Sequence, residues 1–138
     1  MIKRLAALAA VGLLAAILAV GAGAARDPFT GAWIGVEDRG DGSTDYMTIT
    51  GPGNDGARQW LYYETNASGF CSPGGGGPLS ARGTAVSEGE VLHVTITSAT
   101  CANGLPGAFP LPLPTDLTAT SDGRLDWFGV IFSKRGSG

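Results

Sequence analysis

One histidine and two cysteines are all that this 138-residue chain offers of the side chains most used for nucleophilic, redox and metal chemistry. A serine or cysteine nucleophile needs a base within hydrogen-bond reach, and His93 is the only imidazole. It sits between Leu92 and Val94 in a strand-like run, and no G-x-S-x-G occurs in the chain. His93 therefore reads as a polar-face residue and not as a general base. Cys71 and Cys101 lack the C-x-x-C spacing of a redox pair, and they have no neighbouring histidines to complete a zinc site. Charge is also scarce: 15% of residues, with 9 basic against 12 acidic and a net charge of −3. An acidic balance without basic clusters argues against nucleic acid or an anionic membrane as a partner. The reading is of a protein that is not an enzyme and carries no cofactor and no metal.

What is present first is an address. Met1-Ile2-Lys3-Arg4 is a short basic start, Leu5 to Val20 carries no charge, and Gly21 to Ala25 is a small-residue tract containing Ala22-x-Ala24. That order is a secretory signal peptide, which assigns residues 1–25 to the leader and 26–138 to one mature domain. Leu5–Ala25 also approaches the about 20 apolar residues that span a bilayer, so a retained anchor is the alternative. Pro28 blocks any continuation of a helix, which favours cleavage and no stable membrane insertion afterwards. The expected location is secreted, periplasmic or otherwise extracytoplasmic. In an oxidising compartment two cysteines read as a Cys71–Cys101 disulfide.

After residue 26 the chain shows short runs of Thr, Val, Ile and aromatic residues separated by Gly, Asp, Asn or Ser clusters, the pattern of an antiparallel all-β domain. The expected strands are 32–36, 46–50, 59–64, 79–86, 91–97, 117–120 and 125–133. In the fifth, Leu92, Val94 and Ile96 share one face and His93, Thr95 and Thr97 the other, as in a strand with one buried side. Ser87-Glu88-Gly89-Glu90 and Ser121-Asp122-Gly123-Arg124 read as hairpin turns, so neighbours in sequence become neighbours in the sheet. This predicts a single small antiparallel meander of about seven or eight strands closing into a barrel. Residues 98–116, which include four prolines, read as a loop, because proline cannot donate to a sheet ladder.

Several tracts that imitate functional motifs have plainer readings. Glu37, Asp38, Asp41 and Asp45 crowd one loop, but without the spacing of a calcium-binding EF-hand. They read as a solvated turn, and the embedded Arg39-Gly40-Asp41 carries no weight by itself. The glycine-rich Cys71–Pro78 segment lacks the Lys-Ser/Thr and helix of a phosphate loop. Other carboxylates lie mainly at turns beside glycine, where they are solvated and do not face one another across a cleft.

The two ends of the mature chain carry a resemblance. Gly31-Ala32-Trp33 opens the first strand and Lys134-Arg135 closes the last, which resembles the lipocalin and avidin-like (calycin-type) barrels. The resemblance implies that Trp33 plugs one barrel end and that Lys134 or Arg135 packs over it, with Gly31 completing the motif. A secreted metalloprotease-inhibitor barrel is a second resemblance, of similar size and with one disulfide. Residues 26–30 do not show its N-terminal insertion segment.

The aromatic residues supply the candidate binding surface. Tyr46, Trp60, Tyr62, Tyr63 and Trp127 come from three predicted strands, and Trp60 and Tyr62 share a face opposite Tyr63. The expected function is a secreted, non-catalytic barrel that binds a small apolar ligand or an extracytoplasmic protein partner. The alternative is a filled barrel acting as a protease-inhibitor-like or structural interaction module.

Overall fold

The computed structural model describes residues 26–36, 42–71, 77–107 and 110–136. The expected signal peptide at 1–25 and the tracts 37–41 and 72–76 lie outside the described residues. Eight strands follow in order: β1 (Gly31–Val36), β2 (Thr44–Ile49), β3 (Arg58–Glu64), β4 (Leu79–Glu88), β5 (Val91–Cys101), β6 (Leu113–Ala119), β7 (Leu125–Trp127) and β8 (Val130–Lys134). Each pairs antiparallel with the next, and β8 returns to β1 through Trp33↔Lys134, Ile34↔Ser133 and Gly35↔Phe132. The result is a closed all-β barrel.

Alternation decides what lies inside. β3 buries Arg58, Trp60, Tyr62 and Glu64 and exposes the residues between them. β4 buries Leu79, Ala81, Gly83 and Ala85 in the same way. β5 buries Leu92, Val94 and Ile96, then changes phase and buries Ala99 and Cys101. The change occurs where the pairing with β4 slips between Arg82 and Gly83, leaving Thr97 without an opposite residue. Such a bulge moves every later side chain to the other face. It is also a point of close backbone approach: a Cβ at Gly83 would stand 2.2 Å from the Thr95 carbonyl oxygen, so only glycine fits there.

Two expectations need correction. The stretch 125–133 is not one strand but a hairpin, β7 and β8, joined at Phe128-Gly129. Both turn residues have positive φ, 52° and 82°. The tract 98–116 is not a single loop either, since β5 extends to Cys101 and β6 begins at Leu113. Pro114 is tolerated within β6 because β7 pairs only with Thr118 and Ala119. Its missing N–H therefore faces a gap in the ladder.

One barrel end is sealed. Phe29 is fully buried beneath the N-terminal segment, and its carbonyl accepts the Trp33 indole N–H at 2.9 Å. Arg58 Nη1 donates to Asp27 Oδ2 at 2.8 Å and to Thr30 Oγ1 at 2.9 Å, and its guanidinium lies 5.9 Å from the Phe29 ring centre. Asp27 also accepts from the Thr30 hydroxyl and the Phe29 amide. Partial burial opposes ionisation of Asp27. The Arg58, Thr30 and Phe29 donors outweigh it and hold the carboxyl well below its ordinary value of 3.8.

Asp27→Asn would leave the Arg58 side chain, only 5% exposed, without its counter-charge. The Asp27 side chain is itself 34% exposed, which screens the pair, so the expected loss at neutral pH is about 1–2 kcal/mol. A depressed pKa stabilises the fold above the unfolded value, and that contribution fades as pH falls through the folded value. Urea denaturation should therefore separate wild type from Asp27→Asn at pH 7, and the gap should narrow progressively below about pH 4.

Candidate functional site

The opposite end of the barrel is open. A cavity of about 290 Å³ is lined by Trp60, Tyr62 and Glu64 from β3, Leu79 and Ala81 from β4 and Ile96 from β5. The far wall is Leu113 and Thr115 from β6 with Trp127, Phe128 and Val130 from the last hairpin, and Phe70 reaches in from the loop after β3. Phe29, Trp33, Ile49, Leu92, Leu117 and Leu125 are fully buried and none of them lines it. The barrel is thus packed solid at its plugged end and hollow at its mouth. The hollow lies beside the gap in the ladder, where β6 and β7 share only two register positions.

Three aromatic rings build the deepest wall. Trp60 and Tyr62, two apart on β3, stack with centroids 5.6 Å apart and planes 6° from parallel. Trp127 stands nearly perpendicular to both, 5.5 Å from Trp60 and 4.9 Å from Tyr62. Its indole N–H donates to Thr115 Oγ1 at 2.9 Å, bridging β7 to the unpaired part of β6. These edge-to-face contacts fix ring orientation beyond what burial alone supplies. Phe128 is the exposed member at 82%, its ring 5.5 Å from that of Trp127.

The disulfide belongs to this end. Cys71 and Cys101 are bonded, with Cα atoms 5.6 Å apart, and they tether the loop carrying Phe70 to the end of β5. The β5 phase change turns Cys101 inward, where it is 4% exposed.

Beside the cavity are polar groups that sequence reasoning placed in solvent. Asp45 and Glu64 face one another across β2 and β3 and are almost wholly buried. Tyr62 Oη donates to Glu64 Oε2 at 3.2 Å, and Ser43 Oγ donates to Glu64 Oε1 at 3.4 Å. Glu64 shares the alternation phase of Trp60 and Tyr62, a signal that could have placed it inside but was not drawn on. Asp45 was grouped with the acidic loop before it, although it is the second residue of β2.

The remaining candidates fall elsewhere. Tyr46 and Tyr63 pair across β2 and β3 on the outer surface, with centroids 6.3 Å apart and Tyr63 40% exposed. They are not brought to the cavity. At the sealed end Lys134 Nζ lies 5.5 Å from the Trp33 ring centre, whereas Arg135 lies over Tyr46 on the outside at 5.5 Å. A Cβ at Gly31 would stand 2.6 Å from Lys134 Cε, so glycine there makes room for the lysine. His93 is on the outer face, with Nδ1 2.7 Å from Asp116 and Nε2 3.3 Å from Glu88. Its hydrogen bond to Asp116, aided by the Asp116 and Glu88 charges, raises its pKa above 6.5 against an opposing desolvation. Among the described residues no group of three or more His, Cys, Asp or Glu could hold a metal ion.

Comparison with protein-family models, curated proteins and solved structures finds no match to this chain.

Proposed function

We propose that this protein is an exported, calycin-like barrel that binds a small apolar ligand in the mouth cavity and performs no catalysis. The observation that carries this reading is the division of the barrel into a solid half and a hollow half. A barrel used only as a scaffold gains from filling its interior, since each unfilled volume forfeits packing. A cavity of about 290 Å³ with an aromatic wall sits near the lower end of small-molecule sites. Kinship with the calycin barrels is supported by Trp33, Gly31 and Lys134 at the sealed end. Export is supported by the leader pattern and is compatible with the disulfide.

Phe128 adds to the same reading. A bulky residue at φ 52° is strained, and such strain concentrates at functional positions. A two-residue hairpin turn with two positive φ angles prefers Asn-Gly. Phe128→Asn should therefore raise stability by about 1 kcal/mol, measured by thermal denaturation, while weakening ligand binding at the rim.

The direct test fills the cavity. Ala81 lines it and is 7% exposed. Tryptophan fluorescence of the wild type should change saturably with a two-ring hydrocarbon such as naphthalene, and Ala81→Phe should abolish the response while the barrel stays folded. No saturable response in the wild type, or an unchanged one in Ala81→Phe, would contradict the reading. A protein partner on the rim is the second reading. It is favoured by Leu105 and Leu111, which are exposed on the segment between β5 and β6 without lining the cavity. Docking there would survive Ala81→Phe.

A further inference from the structure

The connections of an antiparallel barrel alternate between its two ends. Those joining β2 to β3, β4 to β5 and β6 to β7 lie at the sealed end, and each holds a charged residue: Asp55, Glu90, and Asp122 with Arg124. At the mouth the pattern reverses. The connections after β3 (65–78), β5 (102–112) and β7 (128–129) contain no Asp, Glu, Lys or Arg, and the charge-free tracts around them run 65–81, 94–115 and 127–133. The same three connections present Phe70, Leu105, Leu111 and Phe128 to solvent, at 38%, 54%, 39% and 82% exposure. Among the described residues Phe128 is both the most exposed large apolar side chain and the one non-glycine residue with positive φ. A ring so exposed gains little from the fold, so the return on its strained turn lies outside the molecule.

We infer that the mouth rests on the surface of an uncharged lipid bilayer, with these four side chains inserted at the boundary between headgroups and acyl chains. Peripheral binding draws on buried apolar area and on attraction between basic residues and anionic lipid. The three connections offer only the first. The remaining one at this end, 37–43, holds Glu37, Asp38 and Asp41 against Arg39, which disfavours an anionic surface. A charge-free rim is complementary to a zwitterionic bilayer. A protein interface would surround its apolar centre with polar groups and regular hydrogen bonds, whereas Pro106, Pro110 and Pro112 remove donors from the connection after β5. The contact is peripheral and reversible, not a span. It does not rest on the cavity being a ligand site. It does give an apolar ligand a path from bilayer to cavity past Phe70 and Phe128, which are exposed and line the cavity.

Co-flotation with lipid vesicles tests this. The protein should float with vesicles of phosphatidylcholine alone. Adding phosphatidylglycerol should not strengthen binding, and adding salt should not weaken it. Phe128→Asn should lower the partition coefficient about tenfold, and Leu105→Ser should lower it several-fold. Val86 is the matched control, since it is 53% exposed but lies near the sealed end of β4; Val86→Ser should bind as the wild type does. Ala81→Phe, with its cavity filled, should also bind vesicles unchanged. No flotation with phosphatidylcholine, binding that requires anionic lipid and disappears in salt, or an equal loss in Val86→Ser would overturn the inference. So would lipid-free self-association that Phe128→Asn abolishes, because it assigns the rim to a second copy of the chain. None of these results bears on the cavity reading, which the naphthalene response of the wild type decides separately.

Discussion

Trp33→Ala is expected to lower the free energy of unfolding by about 3–5 kcal/mol, as truncation of a fully buried aromatic side chain does. Three losses combine at this position. The indole is 1% exposed and fills the sealed end, so its removal leaves a void that the closed barrel cannot easily collapse around. Its N–H no longer satisfies the Phe29 carbonyl, which loosens the plug residue as well. Lys134 loses the ring that it lies over, a contact worth about 0.5–1 kcal/mol where solvent reaches it. Trp33→Phe should cost less, since it keeps most of the volume and loses the hydrogen bond. Urea denaturation gives both numbers. A cost below about 1 kcal/mol for Trp33→Ala would mean that the sealed end does not hold the barrel together.

Replacing both cysteines by serine is expected to cost about 3.5 kcal/mol in the chain-entropy picture, given the sequence separation of 30. The effect should be local as well as global. The bridge holds the Phe70 loop against the end of β5, so its loss frees one wall of the mouth. Both cysteines are 4% exposed, and two buried hydroxyls in their place add to the penalty. The double variant should denature at lower urea and bind the two-ring probes more weakly. Its Trp33 environment at the far end should stay as in the wild type. A variant within about 1 kcal/mol of wild type would show that strand closure alone holds the mouth.

How far the sequence told this in advance depended on whether alternation ran unbroken. β1 to β4 were legible to within a few residues, because apolar and polar positions alternate cleanly and Gly-Asp-Asn clusters mark their ends. Reading stopped at Thr97 because the bulge opposite Gly83 inverts the phase there. A strand that changes face midway looks like a strand that ends. The last hairpin was hidden for another reason: Phe128 stands where a turn of that type ordinarily has Asn or Asp, so the turn carried no chemical mark except Gly129. β6 was hidden by Pro114, since a proline is acceptable in a strand only when the next strand leaves that position unpaired. No local pattern reports that.

The site was legible in part. The shared face of Trp60 and Tyr62 followed from their spacing, and Trp127 joined them through closure of the barrel. Tyr46 and Tyr63 were grouped with these by residue type alone, and alternation, which puts Tyr63 opposite Tyr62, already placed Tyr63 outside. Which end of the barrel is hollow could not be read from the chain. It depends on where β6 and β7 part, and on side chains from six strands and a loop meeting in one volume.

The most direct test of the account is the titration of the three indole N–H resonances with a two-ring probe. The tryptophans are natural reporters: Trp33 sits at the sealed end, while Trp60 and Trp127 line the mouth. The account predicts saturable movement of the Trp60 and Trp127 resonances with a common dissociation constant, and a Trp33 resonance that stays in place. Resonances that do not move, or three that drift together in proportion to added probe, would contradict a ligand site in the mouth.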